Sequence, residues 1–148
     1  MNQKFRAWIK TEKCFADYIE AIRYYAKEID LCWGVICESD CFNFEDIIFN
    51  QSTNTKDKTG KEIFEGDVLQ IDYIKAIVRF GQYRYYDNAG KDVLTGNGFY
   101  LECLNVMDPD CISPYETDVL DKAEIIGNIY ENHEYDQNFV GVRIERKK

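Results

Sequence analysis

The sequence predicts a mainly β protein, a small antiparallel barrel or sandwich. Three observations lead there. Aromatic residues make up 15% of the chain, with 11 Tyr and 9 Phe, side chains that suit pleated, half-buried surfaces. Short segments alternate apolar and polar residues, the period of a strand with one buried face. Turn signals built on Gly, Asp and Asn separate those segments at close spacing. Hydrophobic residues reach 45% of 148, enough for one domain, or one domain with an appendage.

The first alternation is Lys4-Phe5-Arg6-Ala7-Trp8-Ile9, with Phe5, Ala7 and Ile9 on one face. Thr11-Glu12-Lys13 then reads as a turn. Over residues 14–29 the pattern is double. Phe15, Ile19, Ile22 and Ala26 fall at helical spacing, which predicts a short helix. Ile22-Arg23-Tyr24-Tyr25 would equally suit a strand. Strands are expected at Leu31–Cys37 and Phe42–Phe49. The polar, unperiodic stretch Asn50–Gly60 predicts a loop, and with it a boundary between an N-terminal part and a core.

The densest segment is Lys56-Asp57-Lys58-Thr59-Gly60-Lys61-Glu62-Ile63-Phe64-Glu65-Gly66-Asp67-Val68. Asp57–Gly60 fits a turn with Gly60 where φ is positive. Glu65-Gly66-Asp67 is a second tight turn, with Asp67 able to bond nearby backbone N–H groups. Ile63 and Phe64 are assigned to the core. Leu69, Ile71 and Tyr73 share one face of the next strand, and Ala76, Val78 and Phe80 repeat the alternation. Turns are predicted at 87–90 and at Gly96-Asn97-Gly98, a loop over 107–122, and strands at Phe99–Asn105, Glu124–Tyr130 and Phe139–Arg146. The expected domains are 1–50, an extension packing on the core, 51–132, the barrel, and 133–148, a tail or extra strand.

The formal net charge is −9 and falls mostly on the centre of the chain. That surface would repel a phosphate backbone unless a local basic patch intervened. No run is apolar or long enough to cross a membrane, and Met1–Arg6 has no apolar leader segment. The expected location is the cytoplasm. The six cysteines, 14, 32, 37, 41, 103 and 111, are therefore expected reduced. The one cluster, Cys32-x4-Cys37-x3-Cys41, lacks the C-x2-C knuckle of a zinc site.

Candidate chemistry is sparse. His133 is the only histidine and lies in a polar stretch after the last core strand, so a surface position is expected rather than a catalytic base. Asp57, Glu62, Glu65 and Asp67 cluster, but no calcium-loop spacing is present. Turn chemistry accounts for them better. Tyr83-Arg84-Tyr85-Tyr86, with Lys75 and Arg79 nearby, interleaves aromatic and basic residues as a single-strand nucleic-acid platform would. Its acidic setting favours ordinary strand packing instead. No catalytic, cofactor-binding or metal-binding residue is expected.

Three segments together resemble the YopX family: Lys4-Phe5-Arg6-Ala7-Trp8, Lys56–Val68, and Glu124-Ile125-Ile126-Gly127-Asn128-Ile129-Tyr130-Glu131-Asn132. The resemblance spans about residues 1–132. It implies a phage- or prophage-encoded protein, a stranded N-terminal region and an SH3-like barrel core. The family carries no established activity, so no site residues follow from it. Two positions depart from its pattern. Asn54-Thr55 stands where Gly-Leu is common, and His133 where Pro often follows the last Asn. Asn tolerates positive φ, so the first turn can survive. The resulting expectation is a non-enzymatic interaction module that binds a host or phage protein and forms homo-oligomers. The alternatives are a small nucleic-acid-binding barrel or an acidic mimic of nucleic-acid charge.

Overall fold

The computed structural model describes residues 5–86, 92–104, 112–115 and 120–135. The strands are β1 (Phe5–Ile9), β2 (Cys14–Phe15), β3 (Tyr18–Arg23), β4 (Glu28–Trp33), β5 (Glu38–Asn43), β6 (Ile47–Lys56), β7 (Glu62–Phe64), β8 (Asp67–Ile71), β9 (Ile74–Tyr86), β10 (Val93–Cys103), β11 (Ile112–Pro114) and β12 (Ala123–Asn128). Short 3-10 turns span Phe44–Asp46 and His133–Tyr135. The chain divides into two compact units, Met1–Asn54 and Thr55–Lys148. It is mainly β, as predicted.

In the first unit β1 pairs antiparallel with β2 and with β6, while β3, β4 and β5 form a three-stranded antiparallel meander. Ala7, Ile9, Ala16, Ile29, Leu31 and Ile47 make the core. Trp8, opposite that face, is buried too, edge-on to Phe15 at 4.9 Å, with the Arg6 guanidinium 4.4 Å above the Phe15 ring. Phe15, itself capped by Arg6, supplies part of the cover that so large an indole needs.

In the second unit a curled antiparallel sheet runs β11-β10-β9-β8-β12. β8 is buried on both faces: Leu69 and Ile71 join one core with Val78 and Leu101, and Val68 joins another with Ile77 and Ile129. Asp72, at φ 54°, lets the two-residue turn close between Ile71 and Ile74.

Several expectations are corrected. Residues 14–29 hold no helix; they form β2, β3 and the start of β4. A β-bulge between Ile19 and Ala21 explains the false period. The extra residue keeps Ile19 and Ile22 against one core despite their spacing of three. The Leu31–Cys37 strand stops at Trp33, and Phe42–Phe49 is broken by the 3-10 turn. Asn50–Gly60 is not a loop up to Lys56 but the end of β6. Two of its polar residues, Asn50 and Ser52, are buried and satisfied: Arg6 Nε donates to Asn50 Oδ1 (3.0 Å), and Asn54 N donates to Ser52 Oγ (3.0 Å). Asn54 does adopt positive φ, 60°. Tyr73 follows β8 and is exposed rather than sharing its buried face.

Gly96-Asn97-Gly98 is not a hairpin turn. It lies inside β10, opposite Tyr83, Gln82 and Gly81. A Cβ on Gly96 would lie 2.3 Å from the Tyr83 ring. The glycine therefore makes room for a tyrosine laid across the neighbouring strand. The turn predicted at 87–90, most of the 107–122 loop and the 139–146 strand fall outside the described residues.

Candidate functional site

The predicted acidic cluster is built into turns. Asp57 is buried, and its Oδ1 accepts from Thr59 N (2.9 Å), Thr59 Oγ1 (2.7 Å) and Lys61 N (2.9 Å). Its Oδ2 accepts from Ile125 N of β12 at 2.9 Å. Burial pushes this carboxyl up, but the donors from Ile125, Thr59 and Lys61 outweigh it and hold the carboxyl below its ordinary value. Asp67 is equally buried and accepts from Phe64 N at 2.8 Å. Glu62 keeps one buried oxygen without a hydrogen-bond partner among the described residues. No three of these four carboxylates converge within metal-ligand reach.

His133 is exposed in the terminal 3-10 turn. The Tyr83 and Tyr85 rings stack on one face of β9 at 5.8 Å, with Tyr100 5.0 Å from Tyr83. Strand alternation sends Arg84 to the opposite face. Arg79 pairs with Glu102 at 3.4 Å, and Lys75 lies 6.0 Å from the Tyr135 ring centroid. Tyr83 and Tyr85 thus lie on the face opposite Arg84 and pack on one another and on Tyr100.

A different place gathers reactive groups: the β4–β5 hairpin with the bulge of β3 beside it. Cys32 and Cys37 form a disulfide across the base of the turn, with Cα atoms 4.9 Å apart, which corrects the expectation that these thiols are reduced. The turn reverses through Gly34 (φ 78°) and Cys37 (φ 54°), and Gly34 N donates to Asp17 Oδ2 at 2.9 Å. At its tip Val35 is 104% and Ile36 81% exposed. The bulge residue Glu20 brings Oε2 to 3.6 Å from Cys37 Sγ. Among the described residues, Glu20, Cys32 and Cys37 are the one trio of metal-capable side chains with ligand atoms within 4.8 Å of one another.

Next to this trio Arg23 clasps Asp30 through two 2.7 Å hydrogen bonds and lies 3.5 Å from Glu28. The Arg23 hydrogen bonds hold the Asp30 carboxyl low. Arg23 also reaches the exposed Cys41 thiol at 3.4 Å. Desolvation, then the Glu28 charge, push that thiol up, so it stays protonated near neutrality. Sequence reasoning saw the cysteines but missed Glu20, Asp17 and the tip. The Gly34 turn signal was present, masked by apolar neighbours on both sides.

The fold has counterparts among known proteins. The family model described as YopX protein matches residues 4–135. The crystal structure of protein EF1440 from Enterococcus faecalis is similar at 26% identity and a TM-score of 0.53, covering 88% of this chain and 95% of that one. No curated protein matches. Since the family model covers nearly the whole length, this chain belongs to the YopX family.

Proposed function

We propose that this chain is a non-enzymatic interaction module of a phage or prophage, with an SH3-like barrel core, acting in the cytoplasm on a basic host or phage protein. The observation that carries the reading is the hairpin tip. Val35 and Ile36 are presented almost bare to solvent, on a turn tied down by Cys32–Cys37 and by the Asp17 contact. An apolar pair held ready in this way loses little freedom on docking. Charge supports a basic partner. Residues 28–55 contain Glu28, Asp30, Glu38, Asp40, Glu45 and Asp46 and not one Lys or Arg. Arg23 pairs with Glu28 and Asp30, and of the remaining acids Glu38, next to the turn, stands where it would attract a cationic surface to the tip.

The test is recovery of partners from infected or lysogenic cells. Wild-type bait recovers a reproducible protein. The double variant Val35→Asp, Ile36→Asp loses it at least roughly ten-fold, the scale of about 1.4 kcal/mol of lost contact, with an unchanged melting temperature. No reproducible partner, or equal recovery by the variant, sinks the reading. Self-association through strand edges belongs to the same proposal. Light scattering at high concentration then gives a mass above the monomer, and a monomeric mass refutes that part.

A further inference from the structure

We propose that, once its disulfide is opened, the hairpin holds one zinc-class divalent cation through Cys32 Sγ, Cys37 Sγ and the Glu20 carboxylate, leaving a fourth position to water or a ligand. The proposal is independent of the docking role of Val35 and Ile36. Two thiolates and a carboxylate are ordinary zinc ligands, and an open fourth position is how such sites stay reactive or exchangeable. The geometry is close to what the ion needs. Tetrahedral bonds of about 2.3 Å to sulfur and 2.0 Å to oxygen separate neighbouring S and O ligands by about 3.5 Å. Glu20 Oε2 already stands 3.6 Å from Cys37 Sγ. The two sulfurs must part to about 3.8 Å for the same bonds, and with Cα atoms 4.9 Å apart, side-chain rotation is enough.

Each ligand has its own reason to be there. Cys32 is buried on the central strand β4 and is fixed by pairing on both sides. Cys37 closes the turn at positive φ. Glu20 is the residue inserted by the β3 bulge, a device that re-aims a side chain. The spacing Cys32-x4-Cys37 alone argues against zinc; the third ligand comes from a neighbouring strand.

The conversion balances simply. A dithiol reductant gives two electrons and two protons to the disulfide, forming two thiols and its own disulfide. The cation then displaces both thiol protons as it binds, so affinity rises with pH.

The experiment uses the full chain, reduced and transferred to metal-free anaerobic buffer, and titrated with Co(II). One equivalent gives a thiolate-to-cobalt charge-transfer band that Zn(II) removes, and the oxidised protein gives none. Cys32→Ser with Cys37→Ser abolishes the band, whereas Cys41→Ser keeps it. Glu20→Gln weakens Co(II) binding roughly ten-fold or more, the scale of losing even an outer-shell partner. No band in reduced, folded protein overturns the proposal, as does a band that survives the double serine variant. Unchanged affinity in Glu20→Gln removes Glu20 from the site.

Discussion

Replacing Asp57 by Ala lowers the stability of the second unit by about 4 kcal/mol. The figure follows from counting donors. Three backbone N–H groups and one hydroxyl end on this carboxylate, and each buried donor left unsatisfied costs about 1–3 kcal/mol, less where water can enter. Asp57 also does something no local turn needs. Its Oδ2 reaches β12, sixty-eight residues later in the chain, beside the Lys58 N to Ala123 O bond. Urea unfolding measures the loss, and a midpoint unchanged from wild type refutes the role. The pH dependence has a definite sign. The folded carboxyl lies below its ordinary value of 3.8. Its contribution is therefore complete above that value and drains away as pH falls through the folded one. Asp57→Asn flattens this part of the acid limb.

The second large effect separates two glycines with nearly the same backbone. Gly60 has φ 92° and Gly66 φ 90°. A Cβ on Gly60 meets nothing within 4 Å, whereas one on Gly66 falls 2.8 Å from the Tyr130 ring. Gly66 is also clamped by its own hydrogen bonds, N to Val78 O (2.8 Å) and O from Ile129 N (3.0 Å), so its backbone cannot slide away. Gly60→Ala therefore costs only the left-handed conformation, about 1 kcal/mol. Gly66→Ala adds the displaced ring, for about 3 kcal/mol together. At about 3 °C per kcal/mol for a chain of this size, the melting temperature falls about 3 °C in the first variant and about 9 °C in the second. Equal losses would mean that Tyr130 moves aside without penalty.

These two predictions come from the stretch that was most legible in the sequence. In residues 56–68 local chemistry decides the structure. Gly60 and Gly66 take positive φ, Asp57 and Asp67 bond the backbone, and Ile63 is fully buried. The turn bonds of Asp57 Oδ1 and Asp67 Oδ2 depend on residues a few positions away, while the reach of Asp57 to β12 and the Tyr130 ring over Gly66 come from far along the chain. What stayed hidden depended on partners that a single strand does not reveal. Glu20 reads as one more exposed acid until the bulge opposite Leu31 and Asp30 is known. Asn50 and Ser52 look like loop residues until Arg6 and the turn at Asn54 are placed. Gly96 and Gly98 look like a turn until their pairing within the β9–β10 ladder is known, with Tyr83 lying across Gly96. The candidate site was the least legible part, because its three ligands come from β3, the end of β4 and the turn after it, joined by pairing rather than by spacing.

The absence of cations along the β4–β5 hairpin has a practical corollary. A protease that cuts after Lys and Arg finds no site between Lys27 and Lys56. The hairpin therefore leaves the digested protein as one fragment, 28–56, carrying Cys32, Cys37 and Cys41 together. Its covalent bridge lies wholly within that fragment. The oxidised and reduced forms then differ by two hydrogens in a single peptide mass, so mass spectrometry of cells can report which form they contain.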